Sequence, residues 1–138
     1  MKVVLDTNGL VSGTYWTGDS FKIMEFADDR KIELVLSKEL IEEYHTVLGS
    51  DEITDKVADK KLILNKVVER VVSQSTIVFP IDKLNVVTED PDDNKILACA
   101  KAGKVDFIIS NDNHLLKLKV FEGISILTPT EFLKQLTK

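Results

Sequence analysis

Four carboxylates stand at positions where a chain could bring them together. Asp6 closes the apolar run Val3-Val4-Leu5, and Asp112 follows Phe107-Ile108-Ile109 by three residues. Asp93 opens a helix after Asp90-Pro91-Asp92, and Glu43 lies two turns into a helix that starts near Ser37. Singly, each has an ordinary reading. Asp92 or Asp93 favours a helix N-terminus, Glu43 sits on a solvated helix face like Glu39 and Glu42, and Asp6 and Asp112 form turns. Gathered at one edge, they do chemistry. Two carboxylates about 4 Å apart repel by about 4 kcal/mol at an effective dielectric of about 20. Such a site therefore needs a cation, a shared proton or wide separation. Oxygen donors with no thiolate or histidine cage suit Mg2+ or Mn2+. A metal of that kind orients and deprotonates water and stabilises charge on a phosphodiester. That is hydrolysis without a covalent protein nucleophile.

The elements that must position these acids follow from the pattern of apolar residues. Val3-Val4-Leu5 reads as a buried strand, followed by a loop over 8–18 and a helix capped by Asp19 or Ser20, with Phe21, Ile23, Met24, Phe26 and Ala27 at helical spacing. Ile32 to Leu36 is a second strand. Ser37 caps a helix whose stripe is Leu40, Ile41, Tyr44, Val47 and Leu48. A helical pattern runs from Ser50 to Gln74, and a third strand from Thr76 to Phe79 stops at Pro80. The helix of Ile96, Leu97, Ala98 and Ala100 ends at Gly103, ahead of a fourth strand at Phe107-Ile108-Ile109. A short helix over His114 to Leu118 precedes a fifth strand, Ile124 to Leu127. Thr128 then caps a last helix with Pro129 at its first position. Strand and helix alternate, so the class is α/β with a mainly parallel sheet and helices on both faces. Strand C-terminal ends then share the edge where ligands bind. Asp6, Asp93, Asp112 and the start of the Glu43 helix all fall at that edge.

With those blocks in view, the sequence resembles the PIN-domain family. Val3-Val4-Leu5-Asp6-Thr7-Asn8 is similar to its opening strand and Asp-Thr/Ser-Asn motif. Ser37 to Glu43 resembles its second-helix segment, and Asp90-Pro91-Asp92-Asp93-Asn94-Lys95-Ile96-Leu97 its third acidic block. Ile108-Ile109-Ser110-Asn111-Asp112 matches the fourth, and Gly123 to Leu133 fits the tail. The likeness runs in order along nearly the whole chain and is nearest to the VapC-like toxin ribonucleases of type II toxin–antitoxin modules. It implies a three-layer α/β/α sandwich with a five-stranded parallel sheet ordered 3-2-1-4-5, and an Mg2+- or Mn2+-dependent endoribonuclease. Asp6, Glu43, Asp93 and Asp112 would form the catalytic, metal-binding quartet. Thr7 and Asn8 would hold it by hydrogen bonds, and Ser110 would support it from the fourth strand. Glu42, about 100° away from Glu43 on an ideal helix, is the fallback if the register slips, with Asp92 and Asp90 as lesser candidates. The resemblance also implies a cognate antitoxin partner, with an extended or helical segment that covers the acidic groove, and a homodimer. The chain departs from the pattern at Gly9, where a bulky apolar residue is usual and where a glycine is expected to loosen the first loop. It departs again at Asn111 and His114.

Composition bounds the alternatives. At 138 residues, 43% hydrophobic and 30% charged, the chain is expected to be one domain over 1–138. A single cysteine, Cys99, forms no internal disulfide and reads as a small core residue. No apolar run is long enough to span a membrane and no leader precedes the first strand, which points to the cytoplasm. The net charge of −5 argues mildly against a broad basic nucleic-acid surface. His114 reads as a surface or supporting residue, with contact to a phosphate or a metal-bound water as the alternative. His45 reads as structural. Tyr15 and Trp16 either stack on a base or close the core, and Lys95 is a surface lysine that could reach a phosphate. Two rivals remain: a catalytically inactive PIN-like module that binds RNA or protein, and a haloacid dehalogenase-type phosphohydrolase. The latter requires an Asp two residues after the first, and that position is Asn8.

Overall fold

The computed structural model describes residues 1–10, 18–48, 68–81, 87 and 92–136. Their centre is β1 (Lys2–Leu5), flanked in parallel by β2 (Glu33–Ser37) and β4 (Phe107–Ile109), with Val3 opposite Leu34 on one side and Phe107 on the other. Successive strand residues point to opposite faces, and Val3, Val4 and Leu5 are all fully buried. Both faces of the central strand are therefore covered, as an uninterrupted apolar run requires. β3 (Thr76–Val78) pairs with the outer side of β2, and β6 (Ile124–Leu127) with the outer side of β4.

These five parallel strands run in the expected 3-2-1-4-5 order, but the sheet has a sixth. β5 (Val120–Phe121) pairs antiparallel with β6 at the edge, giving β3-β2-β1-β4-β6-β5. Glu122 and Gly123 connect the two, both with positive φ (47° and 81°), as a tight hairpin requires. A two-residue strand has too few positions to show a period in the sequence. The correction adds an edge and leaves the acidic end of the sheet unchanged.

The helices are α1 (Asp19–Asp28), α2 (Lys38–Leu48), α3 (Asp93–Gly103), α4 (Asn113–Leu116) and α5 (Pro129–Leu136). Residues 7–10 are helical too, where a loop over 8–18 was expected, because Asp6 accepts from the Gly9 amide through its side chain and from the Leu10 amide through its carbonyl. A further helical stretch over 68–73 closes the predicted 50–74 segment, of which residues 50–67 lie outside the described residues. α3 contacts β1, β2 and α2, while α1 contacts α5. Gly103 belongs to the close approach of α3 to the sheet: a Cβ there would meet Val35 Cγ1 at 2.6 Å. The left-handed residue that terminates α3 is Lys104 (φ 49°), not the glycine.

Capping follows the sequence at two helices and departs from it at a third. Ser37 Oγ accepts from the Leu40 amide at 3.3 Å. Thr128 Oγ1 accepts from the Glu131 amide (3.1 Å) while Glu131 accepts from the Thr128 amide (3.0 Å), a reciprocal capping box. These bonds hold the Glu131 carboxyl below its ordinary pKa. At α1 neither Asp19 nor Ser20 caps: Gly18 occupies the position without a side-chain bond. Asp19 instead accepts from the Thr130 hydroxyl of α5, tying the two helices together.

Candidate metal centre

Asp6 leaves β1 at its C-terminal end, its amide donating to the Ile109 carbonyl of β4 at 3.1 Å. The strand pairing thus carries the carboxylate to the edge, where it is only 7% exposed. Its Oδ1 accepts from the Gly9 amide (2.7 Å) and its Oδ2 from Ser110 Oγ (2.6 Å). Burial pushes the Asp6 pKa up. The bonds from Ser110 and Gly9 oppose that, and the nearby Asp112 charge adds to it. A buried carboxylate held by donors on both oxygens, with its ionised form still at a disadvantage, is an anion that a cation would stabilise.

Gly9 turns out to tighten the helical turn over 7–10. A Cβ there would lie 2.8 Å from Leu5 Cδ1 and 2.9 Å from Asp6 Oδ1. The absent side chain is what lets the Gly9 amide reach the carboxylate, so the expectation that the glycine loosens a loop is reversed: the segment is a helical turn held by that bond. Thr7 is buried, with no hydrogen-bond partner for its Oγ1 among the described residues, and Asn8 is exposed. The bonds that hold Asp6 come from Gly9 and Ser110 instead.

Ser110 joins two of the acids. Its hydroxyl donates to Asp6 and accepts from the Asp112 amide at 2.9 Å, while its own amide is fixed by the Leu127 carbonyl of β6. Asp112 caps α4, its Oδ1 accepting from the His114 amide at 2.7 Å. Asp6, Asn8, Gly9, Ser20, Asn111 and Asp112 line a cleft of about 170 Å³.

Asp93 opens α3 and is 5% exposed, with a buried Oδ2 that has no hydrogen-bond partner among the described residues. Its neighbour Asn94 anchors the approach to the helix. Asn94 Oδ1 accepts from the Val87 amide (2.9 Å) and Nδ2 donates to the Val87 carbonyl (2.8 Å). Donor atoms of Asp93, Asp112 and His114 all lie within 4.8 Å of one another. Opposite ligands of an octahedral cation with bonds of about 2.1 Å stand about 4.2 Å apart. The three side chains therefore fit a divalent cation after small adjustments.

The remaining candidates separate. Glu43 is half-buried on α2 and lies outside that group of donor atoms. The Asp92 hydrogen bond is the main cause that raises the pKa of the Lys95 ammonium, and the charges of Asp92, Glu43 and Glu39 add to it. Asp92 is exposed and pairs with Lys95 at 3.1 Å. Glu42 is exposed and faces Lys38 at 3.9 Å. Asp90, Tyr15 and Trp16 lie outside the described residues. Cys99 is buried, its thiol donating toward the Val35 carbonyl, and burial pushes its pKa up to about 12, which removes it as a nucleophile. His45 is exposed on α2.

Sequence reasoning set His114 aside and did not single out Asn94. The Asp-x-His spacing over 112–114 was the available signal for the first, since a capping Asp and the residue two further on share one helical turn. The Asn94 bonds depend on where Val87 lies, which the sequence does not give.

The family model described as the PIN domain matches residues 2–114. No curated protein matches. Among solved structures, PAE2754 from Pyrobaculum aerophilum is similar with a TM-score of 0.65 at 14% identity, covering 100% of each chain. VapBC2 from Rickettsia felis, solved bound to a DNA fragment from their promoter, is similar with a TM-score of 0.57 at 15% identity, over 91% of this chain and 97% of that one. FitAcB from Neisseria gonorrhoeae follows with a TM-score of 0.50 at 13% identity, over 93% and 98%. At these identities the structural likeness is one of fold.

Proposed function

Because the chain belongs to the PIN-domain family, we propose that it is a metal-dependent endoribonuclease, the toxin of a toxin–antitoxin pair, acting in the cytoplasm. The observation that carries this reading is the convergence of Asp93, Asp112 and His114 within 4.8 Å beside a buried Asp6 that shares Ser110 with Asp112. Asp6, Asp93 and Asp112 would hold Mg2+ or Mn2+, with Glu43 approaching from α2. When bound, the cation supplies a polarised water and offsets negative charge on the phosphodiester.

The chain's own residues do the rest. Gly9 and Ser110 fix both oxygens of Asp6, so the carboxylate is aimed before any ligand arrives. Ser110 couples that position to Asp112, and the Asn94–Val87 pair sets the start of α3 and with it Asp93. The cleft at Asn8, Ser20 and Asn111 offers neutral polar groups to a phosphate rather than a basic groove. Its small size favours a short stretch of single-stranded RNA. A homodimer and a small antitoxin that covers the acidic edge with an Arg or Lys complete the proposal.

Cleavage of single-stranded RNA by the wild type, measured with Mg2+, with Mn2+ and with EDTA, tests the reading against Asp6→Asn. Cleavage should require the metal and fall by at least about 100-fold in the variant. Activity retained in Asp6→Asn, or unaffected by EDTA, would overturn it in favour of a different mechanism. A folded wild type that binds RNA and cuts none would favour the inactive binding module.

A further inference from the structure

His114 is the member of the donor cluster that a set of acids does not account for. Its side chain is 41% exposed, yet its Nδ1 is buried and has no hydrogen-bond partner among the described residues. That nitrogen lies 3.6 Å from Asp112 Oδ1, too far for a hydrogen bond. Adjacent and opposite ligands on one octahedral cation stand about 3.0 and about 4.2 Å apart, and this separation falls between the two. The backbone holds the pair in this relation. Asp112 Oδ1 accepts from the His114 amide, Asp112 capping α4 and His114 lying in its first turn. The third donor, Asp93, comes from α3 and closes the group from the other side.

We propose that His114 is a nitrogen ligand of the cation, shared with Asp93 and Asp112, and that it biases the site toward Mn2+ over Mg2+. Mg2+ takes oxygen donors and gives up its waters reluctantly, whereas imidazole favours first-row transition metals. One neutral nitrogen among carboxylates leaves enough negative charge to hold a dication while changing which dication is preferred. This inference rests on the metal-site reading above and extends it to a residue outside the acidic quartet.

Pulsed EPR of the Mn2+-loaded full chain tests it without reference to activity. Modulation from a directly bound nitrogen is expected in the wild type, retained in His45→Ala and lost in both His114→Ala and His114→Gln. Calorimetry on the same proteins should find the ratio of Mn2+ to Mg2+ affinity lowered by about tenfold in His114→Gln, with thermal melts checking that each variant folds. Bound Mn2+ without nitrogen modulation in the wild type, or modulation that persists in the His114 variants, would overturn the role of His114 and leave the metal site standing. A wild type that takes up no Mn2+ would overturn both.

Discussion

At the scale of single residues, the site holds charge where the fold would otherwise avoid it. Asp6 is buried and its pKa is raised chiefly by that burial. In the metal-free protein the folded state therefore binds its proton more tightly than the unfolded chain, whose Asp6 titrates near the ordinary 3.8. Stability contributed by the protonated form is present below that value and is lost as pH rises through the raised folded pKa. At neutral pH the ionised Asp6 is a net cost. Asp6→Asn removes the charge yet fits the same bonds: Oδ1 still accepts from Gly9, and Nδ2 donates to Ser110 Oγ, whose hydroxyl reverses. Urea unfolding in EDTA should find the variant at least as stable as wild type at pH 7, with the advantage shrinking toward about pH 4. Added Mn2+ should stabilise the wild type and leave the variant nearly unchanged. A variant less stable than wild type at neutral pH would mean that the Asp6 bonds outweigh its desolvation.

At the scale of elements, the acids are placed by the ends of strands and helices. β1 and β4 deliver Asp6 and Ser110 side by side through the pairing of Leu5 with Ile109. α4 starts at Asp112, and α3 starts at Asp93 beside the Asn94–Val87 clamp. Removing that clamp leaves a buried backbone N–H and C=O without partners, each worth about 1–3 kcal/mol. Asn94→Ala should therefore destabilise the protein by about 2–4 kcal/mol in chemical denaturation, and where still folded it should bind Mn2+ more weakly. A loss under 1 kcal/mol would show that water replaces the clamp. Most elements were legible because their apolar residues form a short continuous run, as in β1, or repeat at helical spacing, as in α2. The α1 cap was not, because Asp19 is drawn off by Thr130, a residue 111 positions away. The sixth strand escaped for want of length.

At the scale of the whole molecule, the charge balance carries a consequence. With 18 basic and 23 acidic residues, the chain has no surplus of cations to spread along a nucleic-acid groove. Each phosphate neutralised on a single strand contributes about −0.7 to the slope of log affinity against log salt. A footprint confined to the cleft and two or three lysines or arginines should give a slope of about −2. Binding of a labelled single-stranded RNA to Asp6→Asn in Mg2+ across a salt series measures it; a slope steeper than about −5 would reveal an extended basic surface. No helix among the described residues is long and apolar enough to cross a membrane.

The sequence by itself determined the α/β class and the acids at the C-terminal edge of its strands, because apolar runs, caps and strand ends are local properties that successive residues write directly; the order of the five parallel strands came with the resemblance to the PIN-domain family. Only the tertiary structure decided which side chains meet. It joined Asp6 to Asp112 through Ser110, brought His114 to Asp93, and turned Gly9 from a defect into the opening through which an amide reaches a carboxylate. The Asp6–Ser110 and Asp93–His114 relations depend on distances between separate segments of the chain, and burial then sets the cost of each charge, which no spacing along a sequence contains.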